Sequence, residues 1–119
     1  MPVYTILVVD DDRDLLDLAP QVLANPGYMV ATAESGYEAI RILADRHVDL
    51  MVIDVRMPGL NGFELARQAR LMRPRIRVLF MSGYAGEFSR GEVPPYAVLL
   101  EKPVRPSELL AAIRREFDA

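Results

Sequence analysis

Ile6-Leu7-Val8-Val9-Asp10-Asp11 places two carboxylates directly after an unbroken apolar run. Such a run is typical of a strand that is covered on both faces of a parallel sheet. The arrangement recurs along the chain, because strand-like segments end just before Asp54, Ser82 and Lys102. Since the carboxyl ends of parallel strands meet at one edge of an open α/β sheet, we expect these side chains to converge there.

Five strand-like segments alternate with five helix-like segments, and this alternation predicts βαβ units and a parallel sheet. The first, third and fourth strand-like segments are nearly continuous in apolar residues, so we expect them at the centre of the sheet. The predicted strands are residues 5–9, 29–33, 50–53, 78–81 and 98–100.

Apolar stripes with helical spacing predict covering helices over residues 36–46 and 107–117, with Ser35 and Ser107 as their N-terminal caps. Two further helices are expected to be irregular. Residues 12–25 contain Pro20, which removes a backbone hydrogen bond and predicts a kink over residues 16–20. Residues 84–95 are rich in glycine and proline, so the fourth helix should be short or partly unravelled.

Length and composition favour one domain over residues 1–119, because 119 residues with 51% hydrophobic content suffice for a two-sided core. Cysteine is absent and no charged-then-apolar leader follows Met1, so a cytoplasmic location is expected. No apolar run is long enough to span a bilayer. The net charge is −3 and most basic residues are scattered, so this domain is not expected to contact nucleic acid.

Convergence of Asp10, Asp11 and Asp54 would bring three negative charges together. Each pair costs on the order of 4 kcal/mol at about 4 Å, so a cation is needed among them. Mg²⁺ fits this set, because it binds one or two carboxylates and a phosphate oxygen while keeping several waters. Asp54 could then act as a nucleophile that accepts a phosphoryl group, with Lys102 and Ser82 contacting the phosphate oxygens.

Each of these features also has a purely structural explanation. Asp11, Asp12 and Asp14 are acidic residues of the kind that the helix dipole favours at the start of a helix, and taken alone they would be caps. Asp54 precedes a segment with Pro58 and Gly59 that is typical of a turn, and Lys102-Pro103 could be an exposed strand end. Structure is the better explanation of each feature alone, whereas their joint placement favours a functional site.

Four motifs in the same order and spacing resemble the receiver domain of bacterial two-component response regulators over essentially the whole chain. They are Val8-Val9-Asp10-Asp11-Asp12, Asp54-Val55-Arg56-Met57-Pro58-Gly59-Leu60-Asn61-Gly62, Met81-Ser82-Gly83 and Lys102-Pro103. The resemblance implies a flavodoxin-like fold with five parallel strands in the order 2-1-3-4-5. It also implies phosphotransfer from a sensor histidine kinase or a histidine phosphotransfer domain.

The resemblance assigns a role to each matching residue. Asp54 is implied as the phosphoacceptor, Lys102 as the phosphate-binding lysine and Ser82 as the switch hydroxyl. The Lys102-Pro103 bond is expected to be cis.

The resemblance likewise implies the Mg²⁺ ligands. Asp11, Asp54 and the backbone carbonyl of Arg56 would bind the ion directly, and Asp10 would act through a water.

One position departs from the family pattern. Members usually carry Tyr or Phe three residues before the lysine, where this chain has Leu99. We therefore expect the response to phosphorylation to involve order in residues 84–96 on the face formed by the fourth helix, fifth strand and fifth helix, with Tyr84 or Tyr96 in place of the missing ring. Ser82-Gly83-Tyr84 and the prolines after it are similar to receivers attached to hybrid kinases.

Two rival functions remain open at this point. A receiver-like interaction module without phosphorylation would be consistent with Leu99. A Mg²⁺-dependent phosphohydrolase would use Asp54 as a transient nucleophile, but the chain has no evident second acid/base carboxylate for that reaction. A signalling switch that is not a turnover enzyme is therefore the leading prediction.

Overall fold

Strands and helices alternate along the chain, as predicted. The computed structural model describes residues 3–24, 27–59, 61–83 and 90–118. The strands are β1 (Thr5–Val9), β2 (Met29–Ala33), β3 (Leu50–Asp54), β4 (Arg77–Ser82) and β5 (Val98–Glu101). The helices of the described ranges are α1 (Arg13–Ala24), α2 (Gly36–Asp45), α3 (Gly62–Met72) and α4 (Pro106–Asp118), with a 3-10 turn at Arg90–Glu92.

All five strands are parallel and lie in the order β2-β1-β3-β4-β5, which confirms the flavodoxin-like sheet. β3 and β4 each extend one residue beyond the predicted end, so Asp54 and Ser82 are the last residues of their strands. Because Asp54 pairs with Met81 and Ser82 pairs with Glu101, the carboxyl ends of these strands are aligned. The register therefore brings the predicted site residues to one edge.

The core occupies both faces of the sheet. Every residue of β1 and β3 is buried, and β4 is buried except at its first residue, which confirms that these strands are central. The edge strands β2 and β5 are partly exposed. One cluster, around Phe80 and Leu65, lies on the side of α2 and α3, and the other, around Leu79 and Ile113, lies on the side of α1 and α4.

Two cap predictions have different outcomes. Ser35 caps α2, because its hydroxyl accepts a hydrogen bond from the N–H of Glu38 at 3.2 Å. The prediction for Ser107 is wrong, because α4 begins at Pro106 and its first backbone bond runs from the N–H of Leu109 to the carbonyl of Arg105. Proline is favoured at the first helical position, where its missing N–H has no partner to lose.

Both helices predicted to be irregular are only partly covered by the structure. α1 continues through Pro20 and buries Leu16, Ala19 and Leu23, while the kink stays a prediction. Residues 84–89 of the predicted fourth helix lie outside the described residues, and the rest of that segment contains only the 3-10 turn. None of the helices described here is long and apolar enough to cross a membrane.

Gly62 allows α3 to begin directly beneath the end of β3. A Cβ atom at this position would lie 2.4 Å from the carbonyl oxygen of Asp54 and 2.9 Å from the Cα of Val55. The N–H of Gly62 donates to the carbonyl of Val55 at 2.9 Å, so the two backbones are joined as well as close. The absence of a side chain here therefore helps to position Asp54.

We predict that Gly62→Ala destabilises the fold by about 2 kcal/mol, because a methyl group would force backbone atoms apart. The measurement is the free energy of unfolding in urea. Gly91→Ala is the matched control, since no atom lies within 4 Å of a Cβ built there. Equal stability of the two variants would contradict the tight approach at Gly62.

Candidate functional site

The carboxyl edge of the sheet brings together the predicted site residues. Asp10 follows β1, Asp54 and Ser82 end β3 and β4, and Lys102 follows β5. Asp10, Asp54 and Ser82 are buried, whereas Asp11 is exposed and the Lys102 side chain is 31% exposed. The site thus combines buried polar groups with one exposed carboxylate and one partly exposed amine, and it opens to solvent at this edge of the sheet.

Asp10, Asp11 and Asp54 form an acidic cluster. Each offers a carboxylate oxygen, and these three oxygens lie within 4.8 Å of one another. Two of the three carboxylates are buried, so their repulsion is poorly screened by water. A set of oxygen donors with this charge fits a hard divalent cation such as Mg²⁺.

Lys102 supplies the positive charge within the site. Its Nζ lies 3.1 Å from Oδ2 of Asp10 and 3.4 Å from Oδ2 of Asp54. Burial acts to lower the pKa of the Lys102 amine, but Asp10 and then Asp54 outweigh burial and hold this pKa above its ordinary value. Lys102 is therefore an ammonium group at neutral pH, joined to both buried carboxylates.

The backbone holds Lys102 in this position. The Lys102-Pro103 bond is cis, which confirms the expectation from sequence. The N–H of Lys102 donates to the carbonyl of Ser82 at 2.6 Å, which extends the pairing of β4 and β5 by one residue. The lysine and the serine are thus linked through the main chain.

The acidity of the Asp54 carboxyl group is strongly perturbed. Burial raises the pKa of Asp54 from 3.8 to about 6, and the negative charge of Asp10 acts in the same direction. Lys102 and the N–H of Arg56, which donates to Oδ1 of Asp54 at 3.4 Å, oppose this shift of the pKa without cancelling it. A buried carboxylate of raised pKa beside an ammonium group is a functional-site candidate.

Short-range hydrogen bonds shape the loops around the cluster. Oδ1 of Asp10 accepts from the N–H of Asp12 at 2.9 Å, and Oδ1 of Asp12 accepts from the N–H of Asp14 at 3.0 Å. The structural explanation is therefore correct for Asp12, which helps to start α1. Asp10 instead uses one oxygen for its loop and the other for Lys102.

Two residues of the motif that begins at Asp54 support the site, although the sequence analysis gave neither of them a role. Gly62 admits the close approach to Asp54 described above, and Asn61 caps α3 by accepting from the N–H of Glu64 at 2.9 Å. The signal for the cap was present, since Asn followed three residues later by Glu is typical of a helix start. Gly59, with a φ of 84°, completes the turn between Asp54 and α3.

Leu99, at the position where the resemblance implies an aromatic ring, lies in β5 and is 39% exposed. Tyr96 is half-buried three residues earlier, and the guanidinium of Arg70 lies 3.9 Å from the centroid of its ring. Tyr84 lies outside the described residues. Tyr96, one of the two tyrosines predicted to replace the missing ring, thus packs against Arg70 of α3.

The raised pKa of Asp54 predicts how stability depends on pH in the absence of metal. The folded state binds a proton on Asp54 more tightly than the unfolded state, so ionisation lowers stability as the pH rises from 3.8 to about 6. Asp54→Asn removes this cost. The stability gained by the substitution should be larger near neutral pH than near pH 4, by roughly 1 to 3 kcal/mol.

The measurement is unfolding by urea at both pH values in metal-free buffer. Asp17→Asn, on the exposed side of α1, is the control and should show no such difference. A gain for Asp54→Asn that is the same at both pH values would show that the pKa of Asp54 is not raised in the fold.

Comparison with known proteins identifies the family. The model of the response regulator receiver domain matches residues 6–114. The response regulator SaeR of Staphylococcus aureus (strain USA300) is 31% identical over 114 residues, which cover 91% of this chain and 48% of SaeR. The chain thus spans about half the length of the curated relatives it matches.

Solved structures agree with this assignment. A CheY-like receiver domain protein of Methanospirillum hungatei JF-1 has a TM-score of 0.86 and 31% identity, covering 98% of this chain and 95% of that chain. A receiver protein of Sinorhizobium medicae WSM419 has a TM-score of 0.89 and 30% identity, covering 98% and 96%. The chemotaxis protein CheY4 of Vibrio cholerae has a TM-score of 0.88 and 26% identity, covering 96% and 98%. The chain belongs to the response regulator receiver domain family.

Proposed function

We propose that the chain is a signalling switch that accepts a phosphoryl group on Asp54 from a sensor histidine kinase or a histidine phosphotransfer domain. The observation that carries the proposal is the contact of Lys102 with the buried carboxylates of Asp10 and Asp54, beside the exposed Asp11. Receiver domains are phosphoacceptor switches of two-component signalling and are generally not turnover enzymes. The receiver domain is proposed to occupy residues 1–119, of which the family model matches residues 6–114.

Mg²⁺ is the proposed cofactor, and the receiver family binds this ion at an acidic pocket. Asp11, Asp54 and the backbone carbonyl of Arg56 would hold the ion, with Asp10 acting through a water. The bound ion would supply positive charge against the incoming phosphoryl oxygens and against the acidic cluster. The grouping of three carboxylate oxygens within 4.8 Å supports this assignment.

Asp54 is the proposed nucleophile. One of its carboxylate oxygens forms a bond to phosphorus while the bond from phosphorus to the donor's histidine nitrogen breaks, and the bonding electrons return to that imidazole. The product is an acyl phosphate on Asp54. With a pKa of about 6, Asp54 is mostly ionised at neutral pH, as this attack requires.

Lys102 and Ser82 are the proposed groups that contact the phosphoryl oxygens. The Lys102 ammonium already lies 3.4 Å from Oδ2 of Asp54, so it can interact with a phosphoryl group there after a small movement. Ser82 ends the neighbouring strand and is buried at the same edge. Its hydroxyl would donate a hydrogen bond to the phosphoryl group.

The proposed output is a change on the face formed by the segment before β5, by β5 itself and by α4. β5 is an exposed edge strand that carries Val98 and Leu99. Directly after it, the N–H of Lys102 donates a hydrogen bond to the carbonyl of Ser82. A movement of Ser82 or Lys102 toward a phosphoryl group would therefore act directly on this strand.

A receiver-like module that binds partners without being phosphorylated is the second candidate function. Leu99 favours it, because a leucine cannot perform the inward ring movement that the family pattern implies. The switch is favoured because the chain carries the acidic residues, the hydroxyl and the lysine that the family pattern requires. The cytoplasmic location and the likeness to hybrid-kinase receivers stay predictions.

Asp54→Asn should abolish labelling by acetyl phosphate and Mg²⁺, because an amide is a far weaker nucleophile than a carboxylate. Intact-protein mass spectrometry measures the added phosphate. Asp12→Asn is the control, since it removes one negative charge beside the cluster while keeping a capping side chain on α1. The control should still be labelled.

Three outcomes separate the candidate functions. Accumulation of one phosphate that is lost with Asp54→Asn supports the switch. An unlabelled wild-type protein supports the binding module, and rapid consumption of acetyl phosphate without accumulation supports a hydrolase. Labelling of the Asp54→Asn protein would show that another residue is the acceptor.

Mg²⁺ should raise the thermal stability of the protein, because an ion bound only by the folded state stabilises it by mass action. At a concentration about 100 times the dissociation constant, the gain should be roughly 2.7 kcal/mol. The Asp11→Ala, Asp54→Ala double variant should lose this gain, while Asp12→Asn should keep most of it. Differential scanning calorimetry measures the shift, and equal stabilisation of the double variant and the wild type would place the ion elsewhere.

A further inference from the structure

A second cavity lies at the end of the sheet opposite the acidic cluster. It has a volume of about 560 Å³, within the range that small-molecule sites usually occupy. Its lining comes from the residues before β1 and β3, the end of α3, the segment that leads into β4, and the end of α4. The function proposed above makes no use of this cavity.

One wall of this cavity is aromatic. The rings of Tyr4 and Phe117 stack with their centroids 3.9 Å apart and their planes at 6°. Phe117 covers one face of the Tyr4 ring, and 37% of Tyr4 remains exposed. This aromatic wall thus offers a flat apolar surface beside the opening of the cavity.

Three arginines, Arg73, Arg75 and Arg77, also line the cavity. Arg73 already has a structural use, because its guanidinium donates to the carbonyls of Leu43 and Arg46 at 2.8 and 3.3 Å near the end of α2. Among the described residues, neither Arg75 nor Arg77 has an acidic partner within ion-pair distance. The guanidinium of Arg77 lies 5.9 Å from the centroid of Phe117, so a positive charge stands beside the aromatic wall.

Among the described residues that line the cavity, Asp49 is the one carboxylate, and its single negative charge cannot balance three guanidiniums. Both of its oxygens also have other partners. Oδ1 of Asp49 lies 2.6 Å from Nε2 of His47, and Oδ2 accepts from the N–H of Thr5 at 2.8 Å. The arginines therefore leave an excess of positive charge at the opening of the cavity, although the net charge of the protein is −3. Such a local excess attracts anions.

We propose that this cavity binds a small phosphate-bearing anion, held by the guanidiniums of Arg75 and Arg77. A phosphate group fits better than a single carboxylate, because its charge near −2 can neutralise two guanidiniums at once and its oxygens match their planar donors. The phosphate could belong to an inorganic polyphosphate or to a nucleotide whose base packs on Tyr4. Both sources share the same anchoring chemistry.

Pyrophosphate and adenosine diphosphate are the two probes. Each is titrated into the ¹⁵N-labelled protein without Mg²⁺, so that the acidic cluster repels rather than recruits them. Saturable shifts are expected at the amides of Val48, Ile76 and Phe117 and at Nε of Arg77. Tighter binding of adenosine diphosphate, reduced by Tyr4→Leu, would identify a nucleotide site, whereas equal binding would identify a polyphosphate site.

Arg77→Gln should weaken binding of either probe by about tenfold or more, as expected for the loss of a charge-assisted hydrogen bond. Arg75→Gln, in an exposed turn, tests the same contact if the first variant folds poorly. Arg41→Gln, exposed on α2, is the matched control and should bind normally. Phosphorylation of Asp54 should be unchanged in all three variants, so this test is independent of the proposed switch.

Two results would overturn the proposal. One is the absence of saturable shifts with either probe at concentrations up to about 10 mM. Any remaining affinity would then be weaker than that of a millimolar site. The other is a set of shifts centred on Asp10 and Lys102, which would mean that the anions occupy the opposite end of the sheet.

Discussion

Repulsion among the carboxylates of Asp10, Asp11 and Asp54 is the constraint on which the arrangement of the carboxyl edge of the sheet depends. Asp10 and Asp54 are both buried, and a buried negative charge is costly unless a positive group lies beside it. Lys102 meets that need for both residues at once, with its Nζ at 3.1 and 3.4 Å. The residual cost remains visible in the raised pKa of Asp54. The site is therefore poised to accept further positive charge and to respond when its negative charge changes.

The rest of the fold provides the rigidity that keeps these charges close. Asp54 ends a fully buried strand between two buried neighbours, so it cannot retreat toward solvent without disturbing the core. Gly62 brings the start of α3 against the backbone of Asp54, and Asn61 closes the first turn of that helix. The geometry of this edge thus depends on Gly62 and Asn61 as well as on the charged residues.

The sequence predicted the sheet and the convergence of the acidic cluster because these follow from regular patterns, whereas the strand order was implied by the resemblance to receiver domains. Apolar runs identify covered strands, and parallel strands must end at one edge. The start of α4 was predicted wrongly. Serine is a common capping residue, so Ser107 was expected to cap the helix, whereas the helix already begins at Pro106, because proline is favoured at the first helical position. The pKa of Asp54, the close approach at Gly62 and the second cavity could not be read from sequence, since each depends on distances between residues far apart in the chain.

The hydrogen bond from the N–H of Lys102 to the carbonyl of Ser82 joins the buried site to the edge of the sheet. β5 has only four residues, most of them exposed, so its outer backbone is open to a partner strand or side chain. Lys102 follows this strand immediately, so anything that fixes β5 also restrains the backbone of the lysine whose ammonium group lies beside Asp54. Coupling between two sites is reciprocal. In the proposed switch, a partner that prefers β5 in the phosphorylated state must therefore stabilise the phosphorylated state by the same factor, and occupancy of the edge would become part of the chemistry of the aspartate.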